Sequence, residues 1–147
     1  MGSSFTKYNG FGFWSKDELL TSVLFLISRE LKKLNSSDNF VDEISDKIYN
    51  ASTAGFIGCI PDHFDKFDNT EKSKLLRQAI ESLIDGLKVD NYLTVTDLNE
   101  NKVNGSSNWV SINLIGIEGT AKLMLQLLNG ELKTNASSKI DYWTFLD

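Results

Sequence analysis

The sequence predicts an α+β fold, mainly helical, organised as a single domain over residues 1–147. Three observations carry that expectation. Long apolar stripes recur at helical spacing in the first ninety residues. Two β-branched or alternating runs, Tyr92 to Thr96 and Trp109 to Leu114, predict a small antiparallel sheet in the C-terminal half. A lone proline, Pro61, leaves no Pro-rich linker to divide the chain. About four helices are expected, and a chain of this length buries a real core.

The elements follow in order. Phe5, Tyr8, Phe11, Phe13 and Trp14 surround Gly10 and Gly12, an aromatic, glycine-rich run expected to be irregular or short extended chain packed on the core. Ser15-Lys16-Asp17-Glu18 reads as a capping box, with the Glu18 amide donating to the Ser15 hydroxyl and the Ser15 amide to the Glu18 carboxylate. A first helix then runs to about Leu34. Leu19, Leu20, Val23, Leu24, Ile27, Leu31 and Leu34 give it one broad stripe, and Phe25 and Leu26 widen that stripe, so the helix is expected to be central. Arg29, Lys32 and Lys33 near its C-terminus suit the helix dipole.

A second helix is expected from about Asn39 to Asn50, with Phe40, Val41, Ile44 and Ile48 inward and Asp42, Glu43 and Asp46 outward. Residues 52–67 read equally as a short buried strand or a tight helical turn, ended by Pro61. Asp68-Asn69-Thr70-Glu71 starts a third helix that runs to about Leu87 on Leu75, Leu76, Ala79, Ile80, Leu83, Ile84 and Leu87. The two expected strands are joined by a polar stretch with Asn104-Gly105, a favoured hairpin turn. A fourth helix is expected from about Glu118 to Leu128, with Gly130 as its C-cap. Residues 140–145 read as a final strand or an extended tail.

Composition narrows the function. The formal net charge is -5, which argues against a nucleic-acid or anionic-membrane partner and suits attraction to a basic protein. No signal-peptide pattern and no long apolar stretch is present, so the cytoplasm is the expected compartment. With one cysteine, Cys59, and one histidine, His63, the chain lacks the pieces of a His/Cys metal cage. Cys59 sits in an apolar context and reads as a buried, inert thiol. Asp62, Asp65, Asp68 and Glu71 recur every three residues, but lack the alternate ligands and the glycine of an EF-hand loop. His63 beside Asp62 and Asp65 has no nucleophile-elbow serine with it. Gly116-Ile117-Glu118-Gly119 is expected to be a turn rather than an anion cradle. No catalytic residue, metal ligand or cofactor site is therefore expected, and the chain reads as a binder rather than an enzyme.

A small, acidic, catalytically empty domain of this size resembles the immunity proteins of bacterial toxin systems, including the partners of contact-dependent growth-inhibition toxins. The opening Phe13-Trp14-Ser15-Lys16-Asp17-Glu18-Leu19-Leu20, leading into a long apolar helix, shares that character. The resemblance implies a cognate toxin domain as partner, often a basic nuclease, whose active site or substrate surface is occluded. Acidic side chains would then stand in for phosphates. The candidates are Asp38, Asp42, Glu43 and Asp46 on the second helix, then Asp62, Asp65 and Asp68, with Tyr49 or Trp109 as the aromatic anchor. Asp97, Glu100 and the hairpin around Asn104 form a second candidate surface. The alternatives are a regulatory adaptor without a toxin partner, and a hydrolase built on Asp62, His63 and Asp65.

Overall fold

The computed structural model describes residues 3–34, 39–53 and 70–132. Its described part is mainly helical, with five α-helices and one two-stranded antiparallel sheet. The sheet lies at the N-terminus, not in the C-terminal half. Strands β1 (Ser3–Tyr8) and β2 (Phe11–Lys16) pair from Ser3↔Lys16 to Tyr8↔Phe11. Asn9-Gly10 forms the two-residue turn, with φ of 52° and 82°. Both values are left-handed, as a type I′ hairpin turn requires. Ser4, Thr6, Phe13 and Ser15 share the buried face, while Trp14 falls on the other and is partly exposed.

Helix α1 (Asp17–Lys33) follows directly. The expected Ser15 capping box is absent: Ser15 belongs to β2, and its hydroxyl is buried without a hydrogen-bond partner among the described residues. Lys16 is the N-cap residue and makes no side-chain cap. The hairpin fixes the helix start instead, because the Ser4 hydroxyl donates to Asp17 Oδ1 at 2.7 Å. α1 is central, as expected. It packs against both strands, α2 (Asn39–Thr53), α3 (Thr70–Gly86) and α5 (Leu114–Leu128). Its polar residues suit that burial. Thr21, Ser22 and Ser28 donate to carbonyls of their own helix, at Asp17, Glu18 and Phe25 respectively, which satisfies hydroxyls in an apolar setting. Small side chains also bring α2 close, where the Ser45 hydroxyl donates to the Ser28 carbonyl at 3.1 Å.

The core stripes of α2 and α3 match expectation: Val41, Ile44 and Ile48 are buried on the one, Leu76, Ala79, Ile80 and Leu83 on the other. The C-terminal half differs. Tyr92 to Thr96 is not a strand. Its last residues open helix α4 (Val95–Glu100) through a capping box, with the Asp97 amide donating to Thr94 Oγ1 at 3.1 Å and the Thr94 amide to Asp97 Oδ2 at 3.0 Å. Two reciprocal bonds at a helix start outweigh the weak β preference of Thr94, Val95 and Thr96.

Asn104-Gly105 is not a hairpin turn either. Lys102, Asn104 and Gly105 have φ of 49°, 58° and 67°, and they coil the chain into a 3-10 turn (Val103–Gly105) that plunges Val103 into the core. Beyond it, residues 106–113 form no ladder. Helix α5 then begins at Leu114, four residues before the expected start at Glu118. Asn113 caps it, its Oδ1 accepting the Gly116 amide at 2.9 Å. Gly116 belongs to the helix because it lies against α1: a Cβ there would stand 2.9 Å from Leu19 Cδ2. α5 ends as expected at Gly130, in a Schellman motif with Glu131 N–H to Gln126 O and Gly130 N–H to Leu127 O.

Candidate functional site

The excursion from Thr94 to Asn113 organises the described surface. Three polar side chains at alternate positions, on one short helix and its end, each hold a different part of the molecule. Asp97 pairs with Arg29 of α1 at 3.5 Å. Asn101 accepts the Tyr49 hydroxyl of α2 at 2.9 Å, and its amide donates to the Asp97 carbonyl at 2.8 Å. Asn99 grips the following loop with both amide atoms. Its Oδ1 accepts the Trp109 N–H at 2.7 Å and its Nδ2 donates to the Trp109 carbonyl at 3.0 Å. The Asn99 side chain thus serves residue 109 as a neighbouring strand would, so the loop is fixed without a ladder. The Trp109 indole N–H adds a third tie, to the Val103 carbonyl at 2.9 Å.

Two hollows flank this framework. The first, about 250 Å³, is lined by Phe25, Ser28, Arg29, Lys32, Tyr49, Asp97 and Asn101. Arg29 is committed there. Its guanidinium lies 4.7 Å from the Tyr92 ring centroid and 5.6 Å from that of Phe25, and it donates to the Tyr92 carbonyl. The Tyr92 hydroxyl donates to Glu30 Oε1, an oxygen that also takes Lys33 Nζ at 3.2 Å. Burial, then the bond to and charge of Glu30, push the Tyr92 hydroxyl well above its ordinary pKa; Arg29 opposes that shift. The second hollow, about 300 Å³, lies between the 106–113 loop and the N-terminal turns of α1 and α5. Leu19, Trp109 and Ile117 supply its apolar part, Glu18 its charge, and Asn104, Asn108 and Ser111 are among its polar walls.

The exposed large apolar residues gather beside this second hollow. Val110 is 89% exposed on the loop and Ile115 is 70% exposed in the first turn of α5. Leu114 precedes Ile115, and with the exposed Val89 it lines a neighbouring depression. Single exposed apolar residues are ordinary; here Val110, Leu114 and Ile115 follow one another along the loop and into the first turn of α5.

The structure separates the expected site residues. Asp42, Glu43 and Asp46 are exposed on α2 as anticipated. Two of them are already paired: Glu43 with Lys47 at 3.1 Å and Asp46 with Lys32 at 3.4 Å. Tyr49 is half-buried in the first hollow and Trp109 lines the second, with α4 between them, so they are not one anchor. Asp97 is consumed by the α4 cap and by Arg29. Asp38, Cys59, Asp62, His63, Asp65 and Asp68, and the expected tail at 140–145, lie outside the described residues. Among the described residues no group of three or more His, Cys, Asp or Glu gathers to hold a metal, and no helix is long and apolar enough to cross a membrane.

Sequence reasoning passed over Val110, Leu114, Ile115 and Asn99. Apolar residues in a β-like run look like core, and nothing local announces that Asn99 reaches ten residues ahead. No family model, no curated protein and no solved structure matches this chain.

Proposed function

We propose that this protein is a binding module that neutralises a protein partner, in the manner of the bacterial toxin immunity proteins it resembles in character. The docking face is the 106–113 loop with the first turn of α5. One observation carries this reading: exposed apolar side chains, Val110 foremost, stand on backbone that Asn99 and the Val103 carbonyl hold in place. A loop fixed before binding loses little freedom on association, so its apolar area is available for affinity. The net charge of -5 favours a basic partner, such as a nuclease domain, and speeds its encounter. Asp42, and the partly paired Glu43 and Asp46, contribute to that long-range field rather than to a buried contact.

The test is capture of partners from the native lysate on the immobilised protein, with Val110→Asp and Ile115→Asp beside the wild type. A stoichiometric basic domain retained by the wild type, weakened at high salt and lost with either variant supports the reading. If the captured domain is a toxin, its activity is expected to fall on binding; a partner without toxic activity indicates a regulatory adaptor. Capture that survives both variants but fails with Asp42→Asn and Glu43→Gln would move the site to α2.

A further inference from the structure

We infer that the hollow beside Trp109 is a receptor for one basic side chain, a lysine or arginine presented by the partner, with Glu18 as its counter-charge. This rests on the docking face proposed above and names what that face selects.

Among the described residues, Glu18 is the sole charged one lining the hollow. Its carboxylate has no ion-pair or hydrogen-bond partner among the described residues, whereas its acidic neighbours are engaged. Asp17 takes the Ser4 hydroxyl, and Glu118 pairs with Lys122 at 3.0 Å. Glu18 stands in the first turn of α1, where the helix dipole favours the ionised carboxylate. At the neighbouring start of α5, one of the free amides, that of Gly116, is capped by Asn113 Oδ1. Among the described residues the hollow carries one carboxylate and no cationic side chain.

Shape and polarity agree with that charge. Leu19 and Ile117 are buried, and with Trp109 they give an apolar surface for a methylene stem. The remaining walls are neutral asparagine and serine, with oxygens able to accept from an ammonium or guanidinium. A volume of about 300 Å³ is at the lower limit of small-molecule pockets, and suits a single long side chain.

The test uses the full chain and needs no identified partner. Nα-acetyl-arginine amide is titrated while the Trp109 indole N–H and the backbone amides of residues 104–117 are followed by NMR. Nα-acetyl-citrulline amide, of similar shape but uncharged, is the control. The expected result is saturable shifts at these positions with the arginine probe, at least about fivefold weaker with citrulline and with Glu18→Gln. Ser111→Lys, which places a competing cation at the hollow, is expected to abolish the response and serves if Glu18→Gln does not fold. Equal response to citrulline, an unchanged response in Glu18→Gln, or no shift at all overturns the inference. The two readings fail separately. Partner capture lost with Val110→Asp but untouched by Glu18→Gln would keep the docking face and overturn the receptor. Arginine binding by a protein that captures no partner would keep the receptor and overturn the docking face.

Discussion

Replacing Asn99 by alanine tests whether the 106–113 loop is held in place. The side chain makes two hydrogen bonds to one residue, at 2.7 Å and 3.0 Å, and both would be lost. A typical intramolecular hydrogen bond contributes about 1 kcal/mol net, so the pair contributes about 2 kcal/mol. Trp109 is half-buried, so water reaches its freed N–H and C=O in part and the full penalty for orphaned groups does not apply. In a chain of 147 residues that loss lowers Tm by about 4–8 °C. Thermal and urea unfolding measure the global effect, and hydrogen exchange at the Trp109 amide and indole measures the local one. The exposed Asn108→Ala is the control, expected within about 0.5 kcal/mol of the wild type. Faster exchange confined to residues 106–113 with an unchanged Tm would mean that the loop opens locally, below the global transition. An unchanged Tm together with unchanged Trp109 protection would refute the reasoning, because Asn99 would then not be holding the loop.

Two further outcomes follow from the Tyr92 cluster. The folded state raises the Tyr92 pKa, so the unfolded chain releases this proton first. The stabilisation is complete below the unfolded pKa near 10 and is lost as pH rises above it, at no more than about 1.4 kcal/mol per pH unit. The difference between wild type and Tyr92→Phe in urea titrations from pH 8 upward isolates this slope from the lysines, and the variant is expected to be less stable at pH 8 by about 2 kcal/mol for the hydrogen bond to Glu30; a constant difference across the range would count against the assignment. Gly86→Ala gains about 1 kcal/mol of helix propensity, but its Cβ would stand 2.5 Å from the Tyr92 ring, and overpacking costs about 1–3 kcal/mol. A net loss of about 1 kcal/mol is expected, turning into a gain in a Tyr92→Ala background; a loss that persists without the ring would show that the clash is not the cause.

The helical part of the fold was legible where the apolar period ran long. Leu19 to Leu31 sustains the period over more than three turns and Leu75 to Leu83 over more than two, and burial follows it. The sheet was misplaced because the same dipeptide occurs twice. Asn9-Gly10 and Asn104-Gly105 both adopt left-handed φ, so local conformation does not distinguish them. Their flanks do. Thr6 and Tyr8 before the first pair stand opposite Phe13 and Phe11 after it, alternate positions that give the two strands a common face. The second pair is followed at once by Ser106, Ser107 and Asn108, so the alternating run from Trp109 does not abut the turn. Glycine also misled at α5. Gly116 reads as a turn from sequence, yet it is a contact residue, small because α1 passes against it.

The candidate site was less legible than the fold, for a reason of scale. Its framework joins Asn101 to Tyr49 across 52 residues and Asn99 to Trp109 across ten. No short window contains either pair. The acids that sequence reading favours are conspicuous in number, but Glu43 and Asp46 form exposed ion pairs, which contribute little and are screened by salt. Glu18 was legible only as a helix cap. The hairpin supplies the start of α1 through Ser4, and that leaves the Glu18 carboxylate without a described partner in the lining of the hollow. On the proposed reading, the acids that matter are those that folding leaves without a described partner beside exposed apolar side chains, rather than the most numerous ones. By that criterion Glu18 ranks above Glu43 and Asp46, whose charges are already paired.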